Sequence, residues 1–151
     1  MPQSIVLAEE VFGYVLSLIK AVHLLHGIGM LHCDIKPANI SWDAKRRQVA
    51  LVDFGHSQLL NGALNYGATR GYETPEVLMK QPHSPATDAY SVGATLSQIL
   101  KRATRGHGEY FCCEGDDDEQ LGAVKCVVLG LTRESPTARM RLEEADRKLK
   151  P

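Results

Sequence analysis

Apolar positions recur at spacings of three and four from about Ala8 to His26: Val11, Tyr14, Val15, Leu18, Ile19, Val22 and Leu25. That period predicts one amphipathic helix with a single buried stripe. Glu9 and Glu10 near its start, and Lys20, His23 and His26 near its end, suit the helix dipole. Gly27 and Gly29 are placed to stop it. The pattern then changes. A short β-like piece, Ile40 to Trp42, and a second, Val49 to Val52, flank the polar turn Asp43 to Gln48, a hairpin pattern. From Ser57 to Thr74 the chain is rich in Gly, Asn and Thr without periodicity, which predicts a long loop. A short helical turn follows at Pro75 to Lys80. Longer helices are expected at about Thr87 to Lys101, Leu121 to Leu131 and Ala138 to Leu149.

Composition narrows the class. With 151 residues, 44% of them hydrophobic and 23% charged, the chain has the size and balance of one globular domain. A net charge of −1 gives no global attraction to nucleic acid or to an anionic membrane. Neither a membrane-spanning stretch nor a secretory leader is expected, so a cytoplasmic or nuclear setting is the natural reading. Cys33, Cys112, Cys113 and Cys126 show no C-x-x-C spacing, which favours reduced thiols over a zinc site at His107 and Cys112. The run Asp116 to Glu119 lacks the alternating ligands of a calcium loop and reads as an exposed acidic segment leading into the next helix.

Three motifs carry the chemistry, in one order: His32-Cys33-Asp34-Ile35-Lys36-Pro37-Ala38-Asn39, then Asp53-Phe54-Gly55, then Thr74-Pro75-Glu76. Together they resemble the catalytic loop, the metal-binding triplet and the end of the activation segment of eukaryotic-type protein kinases. The resemblance implies a mainly α fold, the C-terminal lobe of a kinase, with a small β-hairpin carrying the catalytic and metal-binding loops. One domain would fill residues 1–151, with the catalytic loop at 32–39 and the activation segment at 53–76. It implies ATP and Mg²⁺ as cofactors and a protein as substrate.

Residue by residue, Asp34 would accept or orient the substrate hydroxyl proton, and Lys36 would offset charge on the γ-phosphate. Asn39 and Asp53 would offer hard oxygen ligands to magnesium. Lys36 and Thr69 resemble the lysine and threonine that serine/threonine kinases place beside the aspartate. His32, Phe54 and Gly55 would hold the two loops. Asp88, ahead of Tyr90-Ser91-Val92-Gly93, resembles the aspartate that ties down the catalytic loop. Arg139 resembles the arginine that pairs with Glu76.

Departures from the family pattern matter as much. No Gly-rich loop or V-A-I-K-like strand precedes the first helix, so the upper lobe is expected to be absent and the chain inactive or nearly so alone. A regulatory subunit, or a chain supplying that lobe, would be the partner. Cys33 replaces the arginine of H-R-D, Ser41 replaces a large apolar floor under adenine, and Thr74 replaces the alanine of A-P-E. The segments Ala50 to Gly55 and Thr69 to Leu78 look most like the cell-division-cycle kinase that fires replication origins. The alternative reading is a non-catalytic, pseudokinase-like interaction module whose apolar face around the first helix and Phe54 is partly exposed.

Overall fold

The computed structural model describes residues 3–62, 69–104 and 119–150. His107, Cys112, Cys113 and the acidic run at 116–118 lie outside the described residues. Over the described residues the protein is mostly helical with two small antiparallel sheets. In chain order the elements are α1 (Gln3–Gly27), β1 (Met30–Leu31), a 3₁₀ turn (Pro37–Asn39), β2 (Ile40–Asp43), β3 (Gln48–Leu51), β4 (Gln58–Leu59), α2 (Pro75–Leu78), α3 (Pro85–Thr104), α4 (Glu119–Leu131) and α5 (Leu142–Lys148). Among the described residues, no helix is long and apolar enough to cross a membrane.

The expected apolar stripe of α1 is the centre of the core. Val15, Leu18, Ile19 and Val22 are fully buried against Val92 and Leu96 of α3, Val127 and Leu131 of α4, and Leu142 and Leu149 at the chain's end. Truncating one such leucine to alanine costs about 2–5 kcal/mol, because transfer free energy is lost and a cavity is left. Gly93 lets α3 and α4 approach closely. A Cβ there would sit 2.8 Å from both Leu131 Cβ and Thr132 Cγ2.

Two boundaries differ from expectation. α1 begins at Gln3, so its first turn holds no acidic residue and Glu9 and Glu10 do not serve its dipole there. Its end is as expected: Gly29 takes φ +80 and donates to the His26 carbonyl at 2.9 Å. α5 begins at Leu142 rather than Ala138. The preceding stretch is held in turns because Arg139 is buried there and draws the carbonyls of Arg133 and Glu134 around its guanidinium.

The hairpin forms with the register Ile40↔Leu51, Ser41↔Ala50, Trp42↔Val49 and Asp43↔Gln48. Its strands alternate. Ile40, Trp42, Val49 and Leu51 are half-buried, whereas Ser41, Asp43, Gln48 and Ala50 are exposed. Tyr14 of α1 meets Trp42 edge-on at 5.4 Å, and Ser17 Oγ accepts the Val49 amide at 2.8 Å, which docks the hairpin on α1. Asp43 Oδ1 closes the turn by accepting the amides of Lys45 and Arg46, each at 3.0 Å. The Ser57–Thr74 stretch is not all loop: Gln58–Leu59 pairs antiparallel with Met30–Leu31, clipping the end of the second motif to the start of the first.

Candidate functional site

The first two motifs meet through backbone pairing. The Val52 amide donates to the Asn39 carbonyl at 3.0 Å, so Asp53 follows directly on the residue bonded to Asn39. His32 Nε2 lies 3.2 Å from the Val52 carbonyl, and its ring lies 5.0 Å from that of Phe54. Two non-glycine residues adopt left-handed backbone here, Cys33 at φ 64 and Asp53 at φ 60. Such conformations cost about 1–2 kcal/mol and persist only when neighbours hold them.

Asp88 holds Cys33. Its carboxylate is 1% exposed and accepts the His32 amide at 2.8 Å and the Cys33 amide at 2.9 Å. His26 Nε2 lies 2.9 Å from the same carboxylate. His26 therefore does more than suit the helix dipole: it is a partly buried member of this clamp. Its partner lies 62 positions away, which no local spacing signals.

Asp34 is the centre of the site. Its Oδ1 accepts the Thr69 hydroxyl, and its Oδ2 accepts Lys36 Nζ at 2.8 Å and Asn39 Nδ2 at 2.9 Å. Lys36 Nζ also donates to Thr69 Oγ1 at 2.7 Å, closing a three-membered network. Asn39 Nδ2 additionally reaches the Asp34 carbonyl at 2.8 Å, so its amide nitrogen is committed and the side-chain oxygen is the free end. Burial pushes the Asp34 carboxyl upward. The hydrogen bonds from Lys36 and Thr69, the Lys36 charge and the Asn39 bond outweigh it and hold the group below the usual carboxylate range.

Four expected residues, Asp34, Lys36, Asn39 and Thr69, are thus in direct contact. Asp53 is exposed, and one of its oxygens accepts the Gly55 amide at 3.2 Å. One neighbour was missed. His56 Nδ1 lies 3.7 Å from Asp34 Oδ2, and the half-exposed ring stands just beyond Gly55. A titratable residue immediately after the second motif was the available signal.

The remaining expected residues sit below the site. Glu76 and Arg139 form a bidentate pair, Nη1 to Oε1 at 2.5 Å and Nη2 to Oε2 at 3.1 Å. Thr74 does more than tolerate its place: buried at the N-cap of α2, its hydroxyl accepts the Val77 amide at 3.2 Å, which an alanine could not do. Cys33 is buried. Burial, then the Asp88 charge, pushes its thiol up to about 12, against a lowering backbone bond at Gln58.

A loop that fixes an aspartate, a lysine and an asparagine this way, ahead of an Asp-Phe-Gly turn, is what protein kinases carry, and comparison with known proteins agrees. The family model described as the protein kinase domain matches residues 2–141. The chain belongs to that family. Over 138 residues it is 31% identical to the serine/threonine-protein kinase PknG of Mycobacterium leprae, covering 91% of this chain and 18% of that protein. It is 37% identical over 105 residues to the serine/threonine-protein kinase mos of Patiria pectinifera, covering 64% of this chain and 30% of that one. The chain spans less than a third of the length of these relatives. Neither is the origin-firing kinase, and that narrower likeness rests on the motif residues alone.

Proposed function

We propose that the chain is the C-terminal lobe of a serine/threonine protein kinase, with residues 32–39 as catalytic loop and 53–76 as activation segment. The observation that carries this reading is the Asp34–Lys36–Thr69–Asn39 network. An ionised, fully oriented carboxylate suits Asp34 to accept a hydrogen bond from a substrate serine or threonine hydroxyl and to receive its proton as the oxygen attacks. The incoming hydroxyl takes a place at Asp34 beside Thr69, and Lys36 turns its charge toward the transferring phosphoryl group. The names of the relatives support the serine/threonine assignment.

The site fits magnesium and ATP in its donors. The Asn39 side-chain oxygen and the second oxygen of Asp53 are hard ligands on neighbouring backbone, joined through the Val52–Asn39 bond. When bound, Mg·ATP supplies the phosphoryl group and neutralises its charge. The adenine side is weaker: Ser41 and its partner Ala50 are both exposed and small, so neither makes an apolar floor.

A second body completes the cleft in this reading. Val52 and Phe54 are 41% and 46% exposed, and Ile28 and Leu59, around the β1–β4 pair, are 73% and 62% exposed. So much aliphatic and aromatic surface near one site marks a covered face. An upper lobe, from the same product or from a partner chain, is the occupant that supplies the missing phosphate grip. The isolated chain is then inactive or nearly so. The same exposed face, with Cys33 and Ser41, favours the second reading, a non-catalytic module that binds through it.

The experiment is phosphate transfer from labelled ATP to serine, threonine and tyrosine peptides by the longest natural product carrying this segment. Transfer to serine or threonine, lowered about 10²–10⁴-fold by Asp34→Asn, is expected. No transfer, with Asp34→Asn making no difference to nucleotide binding or activity, would leave the interaction module as the surviving reading.

A further inference from the structure

α1 is apolar on more than its core face. Besides the buried stripe, Phe12, Leu16, Lys20 and Leu24 follow one another at four-residue intervals, a line along the helix surface. Phe12 and Leu16 are only partly buried, and Leu24 is 70% exposed. This line forms one wall of a groove of about 610 Å³, and the turn side of the β2–β3 hairpin, with Arg46, Arg47 and Val49, forms the other. Among the described residues, three cations, Lys20, Arg46 and Arg47, line the groove, and no carboxylate does.

The cations are differently held. Arg47 is built into the wall. Its Nη2 donates to the Glu9 carbonyl at 2.6 Å, and its guanidinium lies where a Cβ on Gly13 would come within 2.8 Å of it. Arg46 approaches Asp43 only at 3.8 Å, with its side chain 78% exposed. The Lys20 side chain makes no ion pair or hydrogen bond among the described residues. A preset cation, a second without a side-chain partner, a third loosely paired with Asp43 and an apolar line that the core covers only in part stand together, outside the Asp34 network.

We propose that the groove between α1 and the β2–β3 hairpin docks a short segment of a protein partner in which acidic and large aliphatic residues alternate. Carboxylates would meet Lys20, Arg46 and Arg47, and aliphatic side chains would cover Phe12, Leu16 and Leu24. A nucleic-acid backbone offers nothing to the aliphatic line, and the chain's net charge of −1 does not steer it there. A bilayer takes up an apolar helix face, not a groove walled on its other side by Arg46, Arg47 and Val49. The surface goes beyond phosphoryl transfer and does not depend on it.

The test uses the whole chain and a short fluorescein-labelled peptide of Glu, Asp and Leu, followed by fluorescence anisotropy. Saturable binding is expected. The charge-reversed pair Lys20→Glu with Arg46→Glu should weaken it about ten-fold or more, and Leu24→Asp should do so comparably. All three side chains are exposed, and an unchanged thermal midpoint confirms that each variant folds. Asp34→Asn should bind as tightly as the parent, which separates this surface from the kinase reading. Equal binding by parent and charge-reversed protein would overturn the proposal. So would equal affinity for a peptide with Ser in place of Leu, or tighter binding of an oligonucleotide or of phosphatidylserine vesicles.

Discussion

Asp88, in the first turn of α3, accepts the backbone amide of Cys33, 55 positions earlier in the chain, at 2.9 Å. With the His32 amide and the His26 ring on the same buried carboxylate, one side chain fixes the entry to the candidate catalytic loop. Asp88→Ala would leave two buried amides unpaired and Cys33 in a left-handed conformation without the acceptor of its main-chain amide. The expected loss is about 3–5 kcal/mol in urea unfolding. Asp88→Asn keeps one acceptor and should lose less. An unchanged midpoint for Asp88→Ala would show that the loop is held by something else.

Arg139 spends all its hydrogen-bonding capacity in one place. Besides Glu76, its guanidinium donates to the carbonyls of Ala86 at 2.7 Å, Glu134 at 2.9 Å and Arg133 at 2.9 Å, so all five N–H groups are engaged. Arg139→Ala strands the buried Glu76 carboxylate, and about 3–5 kcal/mol should be lost. Arg139→Lys should rescue little, because an ammonium cannot reproduce the fork. Equal stability of the lysine variant and the parent would argue that charge alone matters here.

The same pair sets a pH dependence. Burial raises the Glu76 carboxyl, but the Arg139 bond, a backbone bond, the Arg139 charge and the Thr74 bond together more than reverse this and hold it below the usual range. A depressed native value means that the unfolded chain takes up protons first. The stabilisation is complete above the ordinary glutamate value of about 4.3 and is lost as pH falls through the native value. The thermal midpoint should therefore drop on acidification, and Glu76→Gln, less stable at neutral pH, should show a shallower drop. Parallel acid limbs in the two proteins would remove Glu76 as a cause.

Local spacing made the candidate site legible and left its supports hidden. Asp34, Lys36 and Asn39 lie within six residues, so their convergence follows from one turn of chain. The core stripe of α1 was legible because its period is that of a helix. The β1–β4 pair was not, since two-residue strands are too short to show alternation. Nor was the place of His26, whose role depends on a carboxylate 62 positions on. The late start of α5 has the same origin: an arginine buried by distant acceptors overrides the helical preference of its neighbours. The second apolar line of α1 was hidden by overlap, because Phe12, Leu16 and Leu24 fall among the positions of the core stripe in sequence and separate from it only in three dimensions.

Cys33 stands where kinases of this pattern carry arginine, and its environment makes it inert. The thiol is buried and pushed up to about 12, so almost none is thiolate at neutral pH. Cys126 of α4 is exposed. Brief iodoacetamide treatment of the native protein, followed by peptide mapping, should alkylate Cys126 and spare Cys33. In denaturant both should react. Rapid native labelling of Cys33 would mean that the loop opens far more often than the Asp88 clamp allows.

Lys36 keeps Asp34 ionised. Burial alone would raise the Asp34 carboxyl, and Lys36 opposes it twice, by a 2.8 Å bond and by its charge, with Thr69 and Asn39 adding bonds of their own. Removing the cation leaves burial opposed only by the weaker neutral partners. Lys36→Met should therefore move the Asp34 titration to higher pH, and Thr69→Ala should move it the same way by less, since it removes a bond but no charge. The carboxyl ¹³C shift of Asp34, followed across an acid titration of each folded variant, reads this without any need for activity. Because the native value rises toward the unfolded one, the acid-labile part of stability contributed by Asp34 should shrink in Lys36→Met. An Asp34 titration that does not move in Lys36→Met would mean that the lysine is a neighbour of the carboxylate rather than the group that holds its charge.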